Sequence, residues 1–102
     1  MYIVHMNEIR FAWDVKKALL NQRKHGVSFE EAQTVFYDEN AIEFFGPEHS
    51  DDEDRFIMLG LSARLRVLVV CHCLREKASV IRIISARKAT RREELNYRED
   101  KK

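Results

Sequence analysis

From Ile81 to Glu93 an apolar run turns into a cluster of cations. Arg82, Arg87, Lys88, Arg91 and Arg92 fall in this stretch, and no acidic residue lies between Arg82 and Arg92. Guanidinium groups suit phosphate because their planar fork donates two parallel hydrogen bonds to one anion. A strand that ends in such groups is a rigid platform for phosphate, and the chemistry it could carry is RNA cleavage without a metal. In that reaction the 2′-hydroxyl attacks its own phosphate in line. A base or a well-placed cation assists the attack, cations stabilise the crowded phosphorane, and an acid can protonate the leaving oxygen.

Each candidate also has a structural alternative. Arg82 sits between Ile81 and Ile83. A charge in an apolar strand must reach solvent, a carboxylate or a ligand, since burying it unpaired is costly. Arg82 and Arg87 are the first candidates for the chemistry, with Lys88 beside them at the strand's end. Arg91 and Arg92 open a helix, where cations oppose the macrodipole. Binding therefore explains them better than local structure does, and the bound partner could be RNA or a protein. Tyr97, further along that helix, could stack on a base, donate a proton or cover the core. His25 follows Lys24 at a helix end and is either a C-terminal cap or an acid–base group.

His72 lies between Cys71 and Cys73. In a strand the two thiols share one face and His72 points to the other, so the trio gathers no metal. His72 is a sheet residue or a further acid–base candidate, and the thiols read as reduced core residues of a cytosolic protein. Arg64 and Arg66 flank Leu65 at a strand start, where alternation would put both on one face as an extension of an RNA-binding surface. Asp51, Asp52 and Asp54 belong to an acidic stretch, 48–54, that reads as a solvated loop. No metal site and no cofactor is expected.

The elements that must hold these residues follow from periodicity and caps. Arg10 to Trp13 alternates as a short strand, and Asp14 is a good N-cap for a helix from Val15 to His25. Val15, Ala18 and Leu19 form its apolar stripe, and Gly26 ends it. Ser28-Phe29-Glu30-Glu31 is a capping box opening a second helix, with Phe29, Ala32, Val35 and Phe36 on its apolar side. Strands are expected over 41–45, 55–61, 67–74 and 79–85, and the short links between the last three make those antiparallel neighbours. Thr90-Arg91-Arg92-Glu93 is a second capping box, opening a short last helix towards Tyr97. The expectation is an α+β fold: a small antiparallel sheet with two N-terminal helices packed on it and a short C-terminal helix.

The chain has 102 residues, the size of a single domain over 1–102. At 45% hydrophobic and 34% charged it is globular. A formal net charge of +1 means that nucleic-acid binding must rest on where the charge sits and not on its total. No apolar run is long enough for a membrane span. There is no secretory signal, and His5-Met6 reads as a cloning remnant with no functional weight. A cytoplasmic location is expected.

Four blocks of the chain together resemble the BrnT family. They are Phe11-Ala12-Trp13-Asp14, the run Lys24-His25-Gly26-Val27-Ser28-Phe29-Glu30-Glu31-Ala32, the pair Arg55-Phe56, and Ile83-Ile84-Ser85-Ala86-Arg87-Lys88-Ala89-Thr90-Arg91-Arg92-Glu93 followed by Tyr97. Ala12 stands where the family usually has an acidic or polar residue. The resemblance implies a RelE-like fold and a ribonuclease toxin of a type II toxin–antitoxin module that blocks translation and arrests growth. It also implies neutralisation by a BrnA-like antitoxin of ribbon-helix-helix type, expected as a 2:2 heterotetramer. In such a module the complex represses its own operon and touches operator DNA only through the antitoxin. The alternative from the residues themselves is a non-catalytic module that binds nucleic acid or a partner.

Overall fold

The computed structural model describes residues 2–6, 9–46 and 55–100, so the acidic stretch 48–54 with Asp51, Asp52 and Asp54 lies outside the described residues. The strands are β1 (Tyr2–Met6), β2 (Ile9–Trp13), β3 (Ile42–Phe45), β4 (Phe56–Leu61), β5 (Val67–Arg75) and β6 (Val80–Lys88). They form one sheet in the order β1-β2-β6-β5-β4-β3. Helices α1 (Val15–His25) and α2 (Phe29–Thr34) lie between β2 and β3, and α3 (Arg91–Asp100) follows β6. A 3-10 turn, Val35–Tyr37, prolongs α2. Among the described residues no helix is long and apolar enough to cross a membrane.

The α+β class holds, but the sheet is mixed and not wholly antiparallel. Strands β3 to β6 form an antiparallel meander. Strand β2, however, lies parallel to β6. The chain reaches β6 from β2 only after both helices and three strands, the long return that a parallel pair requires. Strand β1, which the sequence reading leaves out, pairs antiparallel with β2.

The caps form where the sequence places them. Asp14 accepts a hydrogen bond from the Lys17 amide at 3.1 Å, and Gly26 takes the left-handed conformation, φ 71°, that ends α1. Ser28 accepts from the Glu31 amide at 3.0 Å. At α3 the box is reciprocal: Glu93 donates its amide to Thr90 Oγ1 at 3.2 Å, and the Thr90 amide donates back to Glu93 Oε1 at 2.8 Å.

Strands β5 and β6 lie mid-sheet, as their nearly continuous apolar runs require. Leu68, Val70, Ile83 and Ala86 face the helices and pack with Phe11, Trp13, Phe29 and Val35 in the main core. Each such side chain, fully buried, contributes roughly 1.5–3 kcal/mol. On the opposite face Leu59, Val67 and Val69 form a smaller cluster closed by Tyr97 of α3. Gly60 lies where the 3-10 turn presses on β4. A β-carbon there would stand 2.8 Å from Val35 Cγ1 and 3.0 Å from Ala41 Cβ, so this contact requires glycine.

Helix α1 does not dock through its expected apolar stripe. Val15 is 52% exposed and Leu19 61% exposed, whereas Asn21 is buried. Pairing of β2 with β6 ends at Arg82, and further on Asn21 takes over as the partner of β6. Its side-chain amide donates to the Ala86 carbonyl at 2.9 Å and accepts from the Ala86 amide at 3.1 Å. Satisfying a buried strand edge outweighs an apolar stripe, because unpaired backbone groups are costly to bury. Lys17, one turn before Asn21, therefore lies on the same side of α1.

Candidate active site

A bulge in β6 decides which cations share a face. Cys71 pairs with Ser85 and His72 with Ile83, leaving Ile84 as an extra residue. Strict alternation would place Arg82 and Arg87 on opposite faces. The extra residue shifts the parity, so that Arg82, Ser85 and Arg87 lie opposite Cys73, Cys71 and Val69 on the face away from α1 and α2.

Arg82 anchors a cleft beside β6, where β2 gives way to the first turn of α1. Its neighbours across the sheet are Cys73 on β5 and Ala12 on β2. Arg55, one residue before β4, continues that strand's alternation opposite Cys73, because Phe56 pairs with His72. Arg55 and Arg82 thus flank Cys73 from two sides, roughly 10 Å apart at the backbone given the spacing of adjacent strands. The cleft, of about 70 Å³, is lined by Asp14, Lys17, Arg55, Arg82, Ile83 and Ile84. The Asp14 carboxyl is held below its ordinary value, first by the Lys17 amide and, more weakly, by the Lys17 and Arg82 charges. Three cations and one carboxylate at the mouth of a helix make a place where an anion is attracted.

The other sequence candidates are dispersed. Arg87 shares the face of Arg82 but grips Glu93 with both guanidinium nitrogens, at 2.8 and 3.0 Å. Lys88 and Arg66 line a separate hollow of about 260 Å³ with Glu94 and Arg98 of α3. Arg91 lines another beside Glu94 and Leu95, and Arg92 is exposed. Arg64 and Lys24 are exposed at a turn and at the last turn of α1. Arg64 and Arg66 do not alternate along a strand: Leu65 has φ 63°, the turn is tight, and β5 starts only at Val67. Arg66 instead grips the buried Glu31, donating from Nε to Oε2 at 3.0 Å and from a terminal nitrogen to Oε1, and also donates to the Gly26 carbonyl.

The proton-transfer candidates lie away from the cleft. His25 ends α1, about 12 Å along the helix from Lys17. His72 is fully buried on the helix-covered face, with Phe36 edge-on at 4.8 Å and Phe56 stacked at 5.8 Å. Its Nε2 meets Glu43 Oε2 at 3.1 Å. Burial lowers its pKa against the opposing pull of the Val70 carbonyl and Glu43. Tyr97 is 1% exposed and donates to Asp38 Oδ2 at 2.5 Å. Burial and the Asp38 hydrogen bond push its hydroxyl up to about 12. The Cys71 thiol, near Arg55, is pushed up by burial, which keeps it a thiol and not a thiolate nucleophile.

Sequence reasoning missed Lys17 and Arg55 and took Asp14 only as a cap. One signal was available: α1 opens with Lys16 and Lys17 and has no acid in its first turn, against the preference of a helix N-terminus. Among the described residues no cluster of three or more His, Cys, Asp and Glu could hold a metal ion.

The chain matches the 1.1 Å crystal structure of the Brucella abortus ribonuclease toxin BrnT with a TM-score of 0.61 and 24% identity. The match covers 79% of this chain and 96% of that one, and it shows a shared fold. The family model described as the ribonuclease toxin BrnT of type II toxin–antitoxin systems matches residues 13–93, and the chain belongs to that family. No curated protein matches it.

Proposed function

We propose that this chain is the toxin of a BrnT/BrnA-type module and an endoribonuclease that works without a metal. It is one RelE-like domain spanning 1–102, acts in the cytoplasm, inhibits translation and arrests growth. The observation that carries the reading is the position of Arg82. Family membership supplies the activity class, and Arg82 is a cation at mid-sheet beside Lys17 and Arg55. In the reaction the 2′-oxygen bonds to phosphorus while the bond from phosphorus to the 5′-oxygen breaks. The products are a 2′,3′-cyclic phosphate and a 5′-hydroxyl, the proton lost by one oxygen balancing that gained by the other. The cations stabilise the phosphorane as its charge builds. A BrnA-like ribbon-helix-helix antitoxin neutralises the toxin in a 2:2 heterotetramer, and the complex represses the operon through the antitoxin's DNA-binding part.

The test is cleavage of total RNA by the purified chain with EDTA present. Cleavage that drops at least tenfold in Arg82→Ala is the expected result, whereas intact RNA or an undiminished variant overturns the proposal. One observation favours a second reading, a module that binds without cutting: His25, His72 and Tyr97 all lie outside the cleft. That reading predicts salt-sensitive RNA binding without products, and no growth arrest when the chain is expressed alone.

A further inference from the structure

We propose that Lys17, Arg55 and Arg82, with the N-terminus of α1, form a cradle for one phosphate group of the RNA backbone. The source of the phosphate rests on the ribonuclease reading above; the anion site itself does not.

Three independent features point to a missing anion. The first is an orphan donor. The Nε of Arg55 is buried and has no hydrogen-bond partner among the described residues. A buried N–H without an acceptor is a cost that folding normally avoids. An anion oxygen in the cleft that Arg55 lines would remove that cost.

The second feature is charge. Among the described residues, Lys17, Arg55 and Arg82 share the small cleft with one carboxylate, Asp14. Four arginines elsewhere among the described residues each have a carboxylate of their own: Arg10 pairs with Glu76, Arg66 with Glu31, Arg87 with Glu93 and Arg98 with Glu94. Clustered like charges repel, so an unbalanced group of three is best explained by an anionic ligand.

The third feature is the helix. α1 runs 11 residues and directs the positive end of its dipole at the cleft, yet its first turn carries cations and no acid. Helix α2 shows the ordinary preference, with Glu30 and Glu31 in its first turn and no cation. Asp14 accepts the Lys17 backbone amide as the cap of α1 and sets one negative charge against three positive ones in the cleft. Arg55, one residue before β4, and Arg82 on β6 stand either side of Cys73 and line one cleft, a spacing that lets two forks serve different oxygens of a single tetrahedral group.

The probe is inorganic phosphate titrated into the 15N-labelled full chain, read at the Arg55 Nε–H resonance, alongside RNA cleavage by the same samples. Saturable movement of that resonance is expected. Lys17→Gln and Arg55→Gln should each weaken phosphate binding about tenfold and lower cleavage by a similar factor, with Lys77→Gln unchanged. Arg55→Lys keeps the charge and removes the fork, so it guards against misreading a folding defect. Thermal melting like that of the parent with binding still weakened supports the cradle, and parent-like binding overturns the role of Nε. If RNA is cut equally well by Lys17→Gln and Arg55→Gln and phosphate leaves the resonance unmoved, the cradle is overturned while the ribonuclease reading stands. If phosphate binds and is lost in those variants but no RNA is cut, the ribonuclease reading falls and the cradle stands.

Discussion

Arg87 and Glu93 are joined by two parallel hydrogen bonds of 2.8 and 3.0 Å, and the same carboxylate accepts the Thr90 amide. One acid therefore caps α3 and ties it to β6. Arg87, shown by alternation and bulge to share the face of Arg82, is committed to this tie. The Arg87 hydrogen bonds lower the Glu93 pKa from 4.5 to about 2, and partial burial opposes them. A carboxyl depressed in the folded state stabilises it above the unfolded value and loses that contribution as pH falls through the folded one. The tie should thus weaken between about pH 4.5 and 2, seen as loss of helicity and faster amide exchange in α3 before the sheet unfolds. The Glu93→Gln variant should lack this step.

Tyr97 is the one residue of α3 buried in the sheet cluster, and its hydroxyl reaches Asp38, which also accepts the Leu61 amide at 2.8 Å. Tyr97→Phe keeps the ring and removes a hydrogen bond to a carboxylate, a loss of roughly 1.5–3 kcal/mol. Tyr97→Ala should cost more, about 3–5 kcal/mol, through the cavity it leaves. Urea unfolding measures both. In the folded parent, ultraviolet absorbance should show phenolate from Tyr97 only near pH 12.

Arg66 was a candidate for RNA, but its guanidinium closes a buried site. Burial acts to raise the Glu31 carboxyl, and Arg66 and Ser62 outweigh it and hold the carboxyl below 4.5. Arg66→Ala would leave this carboxylate buried without its cation, at a cost of roughly 3–5 kcal/mol. The expected signature is a lower melting temperature that Glu31→Gln in the same chain partly recovers. A variant with parent-like melting would show that Glu31 has another partner.

His72 should remain neutral where an exposed histidine is protonated. Its pKa is lowered from 6.5 by burial, so the folded state gains stability above pH 6.5 and loses it as pH falls below that value. Imidazole resonances in the folded chain should place its midpoint below 6.5. His72→Phe should remove this contribution to the pH dependence of unfolding and leave RNA cleavage in place.

Much of the fold was legible because it depends on near neighbours. Caps at Asp14, Ser28 and Thr90 need only a side chain and an amide three residues on, so local spacing suffices to find them. The antiparallel pairing of β4, β5 and β6 follows from short links. The parallel contact of β2 with β6 was not legible, since it joins residues about 70 apart, and nothing local records which edge a strand takes. The dock of α1 was misread for a related reason. A stripe of Val15, Ala18 and Leu19 looks like a core face until Ala86 is known to need a partner, which Asn21 supplies.

For the site, the sequence by itself determined that arginines gather around β6 and the start of α3, and that the chain carries the BrnT pattern. Both are properties of order and composition. Only the tertiary structure decided which arginines act together. The bulge at Ile84 turned Arg82 and Arg87 to one face, Glu93 then occupied Arg87, and the sheet brought Arg55 and the first turn of α1 to Arg82. Charges interact through space over a few ångströms, whereas these residues lie tens of positions apart along the chain, so their meeting is a property of the folded sheet alone.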